Sequence, residues 1–181
     1  MRVNETSIPG LLIVQVPVFR DERGYFQEAY RRESLQEAGV DIDWRQDNLS
    51  VSARNVIRGL HYQIARPQAK LVQVVHGAVF DVAVDLRKSS PTFGQHLGIE
   101  LKAGDGRALL IPIGFAHGFA ALEPATTFLY KVSDSHYPEG ERTILWNDPQ
   151  LQISWPIQPE DAILSEKDRR GTLFRSADLF S

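Results

Sequence analysis

The residues of this sequence whose types and spacing could carry chemistry are His61, Lys70 and His117. In a predicted strand from Ala69 to His76, Lys70 shares a face with Val72, so its side chain is expected to point into the interior of a barrel. A lysine charge that faces a histidine in a pocket can stabilise an anion. The sequence contains no cysteine, which excludes a thiolate nucleophile, a thiolate metal site and a disulfide framework.

The spacing before His117 resembles the second sequence motif of the cupins. Gly106 is followed by Pro112, Gly114 and His117 at the intervals of that motif, with Ala121 in place of its final asparagine. Metal-binding cupins hold a divalent ion with this histidine and with two histidines and a glutamate from a first motif. The resemblance implies a cupin-type jelly-roll barrel.

The first-motif positions of a cupin metal site are altered in this sequence. His61 can occupy the first histidine position, but Gln63 stands at the second and Lys70 at the glutamate position, counted back from Gly77. An ammonium group cannot ligate a cation and repels it at close range. We therefore expect no bound metal and no cofactor, and we expect the charge of Lys70 to take the place of the ion.

The elements that must position these residues are mostly short strands. Apolar segments recur about every 8–12 residues between Gly, Pro, Asp and Ser, a spacing typical of a mainly β jelly-roll barrel or sandwich. The predicted strands are Leu11–Val18, Val56–Tyr62, Ala69–His76, Ala78–Leu86, His96–Leu101, Ala108–Ile111 and Thr126–Val132. Helices are predicted at Arg31–Ala38, closed by Gly39, and from Pro159 onward, and a loop at Ser133–Arg142. The tail after Trp155 is expected to pack back onto the barrel.

The alternation of side chains along a strand indicates which way Tyr130, Arg58 and His61 point. Tyr130 lies on the same strand face as Phe128. Arg58 and His61 have opposite parity, so they can serve one site only if Gly59 marks a bulge or a bend.

Length and composition bound the class of protein. The 181 residues are 43% apolar and 24% charged with a formal net charge of −3, and we expect residues 1–181 to form a single cupin-like domain. No basic stripe is present, so a nucleic-acid partner is not expected. No signal peptide is visible and the apolar stretches are too short to span a membrane, so we expect a cytoplasmic protein without a membrane partner.

An ordered set of motifs runs along nearly the whole sequence. Its members are Phe19–Glu28, Gln46–Asn48, Arg58–Gln63, Lys70–Val72, Asp81–Arg87, Ser90–Gly94, Ile111–Phe119, Tyr130–Lys131, Trp146–Pro149 and Leu164–Asp168. Each motif alone is modest support, but the ordered set is highly specific. In this set the sequence resembles the dTDP-4-dehydrorhamnose 3,5-epimerase family, which consists of metal-free cupin enzymes.

The resemblance implies inversion at carbons 3 and 5 of dTDP-4-dehydro-6-deoxy-D-glucose. Both carbons flank the carbonyl at carbon 4, so removing either proton gives an enolate whose charge falls on the carbonyl oxygen. Such a reaction needs a base on one face, an acid on the other and a positive group at the oxygen. By the resemblance, His61 is the base, Asp168 orients it, Tyr130 donates the proton and Lys70 stabilises the enolate.

The resemblance also implies a set of substrate-binding residues. They are Arg23, Phe26, Glu28, Gln46, Asp47, Asn48, Arg58, Lys70, His117, Glu141 and Lys167. His136 stands where the family commonly has a tyrosine that stacks on thymine, and either His136 or, after a loop shift, Tyr137 could take that role. A homodimer is expected from the family.

The sequence leaves several alternative functions and residue roles open. The same scaffold could invert one centre only, or isomerise the ketone between carbons 3 and 4. A metal-dependent cupin enzyme and a non-catalytic sugar-nucleotide binding module are further options. His117 could be a hydrogen-bonded core residue, and Lys70 could extend to the barrel mouth. For Asp81 and Asp85, which share a strand face, a structural or hydrogen-bonding role is favoured.

Overall fold

The computed structural model describes residues 1–181 as a chain of thirteen strands with two short helices. The strands are β1 (Arg2–Glu5), β2 (Leu12–Gln15), β3 (Val18–Asp21), β4 (Gly24–Gln27), β5 (Gln46–Ser52), β6 (Ile57–Gln63), β7 (Lys70–His76), β8 (Ala78–Asp85), β9 (His96–Lys102), β10 (Arg107–Ile111), β11 (Phe115–Ala121), β12 (Thr126–Val132) and β13 (Glu141–Thr143). The helices are α1 (Arg32–Glu37) and α2 (Glu166–Arg169), and single 3-10 turns lie at Pro138–Gly140 and Phe174–Ser176. None of its helices has the length and apolarity needed to cross a lipid bilayer.

Two antiparallel sheets form the body of the molecule. One has six strands in the order β1-β2-β10-β7-β12-β5, and the other has five in the order β13-β6-β11-β8-β9. Strands β3 and β4 form a separate two-stranded hairpin. This arrangement confirms the predicted mainly β fold of jelly-roll type.

The main core lies between the two sheets. Alternate residues of β7, β10 and β12 from one sheet meet those of β8, β9 and β11 from the other. The rings of Phe119 and Phe128, one from each sheet, lie 4.7 Å apart between centroids. Burying each such ring stabilises the fold by about 1.5–3 kcal/mol, so these contacts hold the two sheets at a fixed separation.

Further layers cover the outer faces of the sheets. Leu35 of α1 and the following Val40 pack against Leu71 and Leu110 on the outside of the six-stranded sheet. Residues of the C-terminal segment, among them Phe174, pack on the outside of the five-stranded sheet. The expectation that the tail packs back onto the barrel is confirmed, and its path brings α2 next to β6.

Three sequence predictions need correction. The strand predicted at Leu11–Val18 is broken at Pro17, which has no N–H to donate, so the chain leaves β2 and begins the hairpin at Val18. The helix predicted from Pro159 is wrong. There the chain makes one turn, after which Ile163 donates its N–H to Asn55 O at 2.9 Å and needs extended backbone. The predicted loop Ser133–Arg142 contains a 3-10 turn and the start of β13.

Strand β6 carries one extra residue where it pairs with β11. The two residues between Arg58 and His61 face Gly118 alone on the partner strand. Gly59 has a φ of +128°, and a Cβ at this position would lie 2.5 Å from the Cα of Gly118. Only glycine fits this position, so the conditional prediction of a bulge at Gly59 is confirmed. The bulge turns Arg58 and His61 towards the same cavity.

Candidate active site

A cavity of about 530 Å³ opens between the two sheets, and its volume is typical of small-ligand sites. Strands β5, β7 and β12 supply one wall, and β6, β11, β13 and the segment around α2 supply the other. Eleven of the predicted site residues line it: Gln46, Asn48, Arg58, His61, Lys70, His117, Tyr130, His136, Glu141, Lys167 and Asp168. The topology therefore gathers residues that are far apart in the sequence.

His61 and Asp168 form a direct pair in this cavity. Nε2 of His61 lies 2.5 Å from Oδ1 of Asp168, and the Asp168 side chain is only 4% exposed. An ionised carboxylate can only accept hydrogen bonds, so Nε2 carries the proton and Nδ1 carries the lone pair. This tautomer gives His61 one nitrogen that can accept a proton.

The charge of Asp168 is held in place by its neighbours. Burial by itself would raise the pKa of this carboxyl, but hydrogen bonds from His61, Ser165 and the Gly59 N–H lower it below its usual value. Asp168 thus stays ionised beside His61, where it can stabilise an imidazolium.

A second histidine–aspartate pair lies deeper. Nε2 of His117 lies 3.1 and 3.0 Å from the two carboxylate oxygens of Asp81, and both residues are buried. Burial lowers the pKa of His117 despite the opposing charge of Asp81, so the imidazole is neutral at pH 7. Asp81 has the hydrogen-bonding role favoured from the sequence. The nearby Asp85 instead accepts from Arg87 at 2.8 Å and from side chains of the following turn, a structural role.

Tyr130 reaches the cavity from the opposite sheet. Its hydroxyl lies 3.2 Å from Oγ of Ser50, and its ring stands edge-on to Phe128 at 4.9 Å. Burial raises the pKa of Tyr130 well above its usual value, so the phenol is protonated at neutral pH. Tyr130 is therefore available as a proton donor rather than as an anion.

Lys70 lies on the cavity floor rather than at its mouth. Its Nζ donates to the backbone oxygen of His61 at 3.3 Å, across from one sheet to the other. Burial lowers the pKa of Lys70 to about 8, while the charges of Asp81 and Glu141 oppose this decrease. The side chain is therefore mostly cationic at pH 7 and loses its proton as the pH rises through about 8.

Charged side chains surround the cavity mouth. Nζ of Lys167 lies 2.6 Å from Glu141, whose other oxygen is 3.5 Å from Nε2 of His136. Burial opposes ionisation of Glu141, but the hydrogen bond from Lys167 and its charge lower the pKa below its usual value. Tyr137 does not line the cavity, because its ring packs against Arg66 at 5.5 Å. Of the two candidates for base stacking, the structure therefore brings His136 to the cavity.

Three predicted substrate-binding residues lie on or beside the β3–β4 hairpin and outside this cavity. Arg23 is exposed and ion-paired with Asp21, and the ring of Phe26 is 70% exposed. Glu28 forms an ion pair with Arg31 at 3.2 Å. The hairpin thus presents these side chains to the surroundings of the molecule and not to its own cavity.

Asp47 also lies outside the cavity. Successive residues of β5 point to opposite faces, so Gln46 and Asn48 line the cavity while Asp47 points outward. Its carboxylate accepts from Nζ of Lys131 at 2.7 Å on the outer surface.

Five residues that line the cavity were not among the predicted site residues: Ser50, Gln68, Phe119, Val132 and Ser165. Ser50 follows Gln46 and Asn48 at every second position, and this alternation was a signal for a strand with a polar inner face. Ser165 precedes Asp168 by three residues, a spacing typical of a helix-capping pair.

The donor set of a metal-binding cupin is not assembled here. No group of three or more His, Cys, Asp or Glu side chains is arranged so that it could hold a metal ion. Gln63, at the second histidine position, accepts from the Tyr137 N–H at 2.9 Å and donates to Arg66 O at 2.7 Å. Gln63 therefore holds the neighbouring loop.

Proton transfer at a carbon acid is the chemistry that these groups share, and on a jelly-roll scaffold they define an isomerase of the cupin class. Comparison with known sequences identifies the family. Residues 5–176 match the family model described as dTDP-4-dehydrorhamnose 3,5-epimerase, and the chain belongs to this family.

Individual relatives agree with this assignment. The curated dTDP-4-dehydrorhamnose 3,5-epimerase of Pseudomonas aeruginosa is 51% identical over 181 residues, which cover 99% of each chain. The crystal structure of the dTDP-6-deoxy-D-glucose-3,5-epimerase RmlC of Legionella pneumophila, in complex with dTDP-4-keto-L-rhamnose, is 44% identical with a TM-score of 0.93. That match covers 98% of this chain and 94% of the other. ChmJ of Streptomyces bikiniensis, a 3'-monoepimerase in complex with dTDP-quinovose, is 33% identical with a TM-score of 0.89, over 96% and 88%.

Proposed function

We propose that this chain converts dTDP-4-dehydro-6-deoxy-D-glucose into dTDP-4-dehydro-L-rhamnose by inverting carbons 3 and 5. The observation that supports this mechanism is that His61 and Tyr130 reach the same cavity from opposite sheets. A sugar ring held between them would meet the base on one face and the acid on the other, which is the arrangement that inversion requires.

Each inversion is proposed to begin at His61. Nδ1 takes the proton from a carbon next to the carbonyl, while the Nε2–H bond to Asp168 stabilises the imidazolium that forms. The electron pair of the broken C–H bond moves to the carbonyl oxygen, and Lys70 stabilises this charge in its cationic form. Tyr130 then donates its phenol proton to the opposite face of the carbon. Proton exchange with water in the open cavity returns His61 and Tyr130 to their starting forms.

The nucleotide part of the substrate is proposed to lie at the cavity mouth. Arg58 and Lys167 are cations suited to a diphosphate, and an arginine can pair two phosphate oxygens at once. His136 is proposed to stack on the base, since its imidazole lines the mouth and Tyr137 is engaged by Arg66. Gln46 and Asn48 offer amide groups from β5, on the wall opposite Arg58 and Lys167.

The positions of Arg23, Phe26 and Glu28 support a homodimer. If these residues bind substrate, they must do so in the cavity of a second copy, because their hairpin lies outside its own cavity. The edge strand β5 carries outward Leu49 and Val51, which are 62% and 57% exposed and could pair with a second chain. A symmetric dimer would bury these apolar side chains.

Mixing two inactive variants tests this exchange. In a heterodimer of Arg23→Ala with His61→Asn, one cavity combines an intact His61 with the intact hairpin of the other chain. Co-refolding of the two variants is therefore expected to restore activity at one of the two sites of each heterodimer, so the total activity should follow the heterodimer fraction measured by native mass spectrometry. Mixtures that stay inactive despite heterodimer formation would mean that the hairpin serves its own chain.

The overall reaction is tested with dTDP-4-dehydro-6-deoxy-D-glucose in deuterated water. Proton NMR is expected to report deuterium at both carbon 3 and carbon 5 of the product. Label at a single carbon would instead indicate a single-centre epimerase, and a shifted carbonyl would indicate a 3,4-ketoisomerase. Binding without turnover would indicate a sugar-nucleotide binding module. Stoichiometric iron, manganese or zinc bound through His61 and His117 would favour a metal-dependent enzyme.

The pKa of Lys70 predicts an alkaline limit of activity. Below about pH 8 the side chain is cationic and stabilises the enolate, and above this pH it becomes neutral. We expect kcat/KM to fall as the pH rises through about 8, with the slope of one proton. Lys70→Arg keeps its charge at high pH, so this limb should vanish even though the absolute rate is lower. An unchanged limb in Lys70→Arg would assign it to another group.

Two broader expectations belong to the same proposal. Residues 1–181 are proposed to act as one epimerase domain, which is supported by the packing of both terminal regions on the two sheets. A cytoplasmic location is favoured by the nucleotide-sugar class of substrate and is tested by cell fractionation.

A further inference from the structure

Ser165 lines the cavity, yet its hydroxyl both donates to and accepts from a single neighbour. Its Oγ lies 2.7 Å from Oδ2 of Asp168 and accepts from the backbone N–H of the same residue at 3.1 Å. Because the ionised carboxylate can only accept, the hydroxyl proton of Ser165 must point at Oδ2. The hydroxyl therefore has no proton left for a ligand in the cavity.

The two oxygens of Asp168 have different partners. Oδ1 is held by Nε2 of His61 at 2.5 Å, and Oδ2 by Ser165 at 2.7 Å. Turning the carboxylate about its own axis would break both bonds at a buried position, where an unpaired charged group is costly. Ser165 thus fixes the plane of the carboxylate, and the carboxylate fixes the plane of the imidazole.

We propose that Ser165 is a positioning residue for the base, so that Ser165, Asp168 and His61 act as a chain in which each side chain orients the next. This inference rests on the proposed role of His61. It assigns to a residue of α2's N-terminus a function in proton transfer, beyond the capping of a helix that has only four residues.

The effect of Ser165 on the charge of Asp168 supports the same role. The Ser165 hydrogen bond is one of the contacts that hold the pKa of Asp168 low against the opposing effect of burial. Without this donor, the pKa of Asp168 rises and the carboxylate takes up a proton at a higher pH. When the solution is acidified, activity that depends on the ionised carboxylate would then begin to fall at a higher pH than in the parent protein.

Three substitutions separate positioning from helix capping. Ser165→Ala removes both the acceptor and the donor. Ser165→Asp keeps an acceptor for the Asp168 N–H, since aspartate is a favoured capping residue, but it replaces the donor by a second carboxylate. Ser165→Thr keeps both functions of the hydroxyl and is the rescue variant.

The full-length variants are compared by kcat, KM, the pH profile of kcat and the melting temperature. We expect Ser165→Ala and Ser165→Asp to lower kcat about 10-fold or more, with KM changed less than about 2-fold. The acid limb should move to higher pH in both, and further in Ser165→Asp, while Ser165→Thr recovers most of the lost rate. In a His61→Asn background, Ser165→Ala should have no additional effect on kcat.

Two results would overturn the inference. One is a set of kcat values that changes only in parallel with the melting temperature, with Ser165→Asp as active as the parent. This result would leave helix capping as the only role of Ser165. The other is an unmoved acid limb in every variant.

A readout without substrate keeps this test apart from the test of the proposed function. The Nε2–H proton of His61, in a short bond to Asp168, is expected to give a strongly downfield NMR resonance that weakens in Ser165→Ala and returns in Ser165→Thr. If this pattern appears in a protein that does not epimerise the sugar, the chain of contacts stands and the proposed function fails. If the resonance is the same in all three proteins, the positioning role fails.

Discussion

Replacing His61 by asparagine is expected to lower kcat for the epimerisation by about 10³-fold or more, because the asparagine amide cannot take the proton that His61 is proposed to remove. The amide of asparagine can still donate a hydrogen bond to Asp168, so the buried carboxylate keeps a partner and the fold is preserved. Titration calorimetry with dTDP should give an affinity within about 2-fold of the parent, since in the proposed mechanism His61 faces the sugar and not the diphosphate.

His61→Ala provides the comparison for this prediction. It removes the same base but leaves Asp168 with only Ser165 and the Gly59 N–H as partners. We expect the same loss of turnover together with a destabilisation of about 1–3 kcal/mol, measured by urea unfolding. A His61→Asn protein with kcat within about 10-fold of the parent would reject His61 as the base.

Replacing Tyr130 by phenylalanine is expected to separate proton removal from inversion. The ring contacts with Phe128 and Phe119 remain, and only the hydroxyl that donates to the opposite face is lost. Product formation should fall about 10²–10³-fold. His61 is intact and can still remove the proton and return a deuteron to the same face. Proton NMR in deuterated water should therefore show substrate losing its signals next to the carbonyl without becoming product.

Ser50→Ala is the matched control for this experiment. It removes the hydrogen bond to the phenol but leaves the donor itself, so product formation should continue at a rate much closer to the parent. Inverted product formed by Tyr130→Phe at the rate of the parent would exclude Tyr130 as the acid. An absence of exchange in Tyr130→Phe would mean that the tyrosine is also needed for proton removal.

The fold could be predicted where burial and β-propensity coincide. Strands β7 and β8 are rich in valine, and β12 is built largely of threonine, phenylalanine, tyrosine and valine, all residues with high β-propensity, so the sequence predicts these strands almost to the residue. Strand β5 escaped because its polar residues face the cavity while Leu49 and Val51 face outward. Strand β11 escaped because it is central and built largely of alanine, glycine and histidine, residues with low β-propensity that allow β6 to approach closely.

The site could be predicted in part, for similar reasons. Parity alone turns Lys70 inward and places Tyr130 with Phe128, and the structure agrees. Asp168 could be assigned only by family resemblance, because its partner His61 is 107 residues away and a polar stretch after a turn gives no local sign of burial. The roles proposed for residues on the β3–β4 hairpin depend on a second chain, which no local pattern in one sequence describes.

Because His61 and Tyr130 belong to different sheets, the hydrophobic core sets the distance between the proposed base and the proposed acid. Packed sheets lie about 10 Å apart, and the side chains between them set that spacing. Phe119 and Phe128, which never touch the reacting carbon in the proposed mechanism, act as spacers between the two proton-transfer groups. If the proposed mechanism holds, substitutions in this core are expected to change the separation of the two groups, and with it the rate of inversion, as well as the stability of the fold.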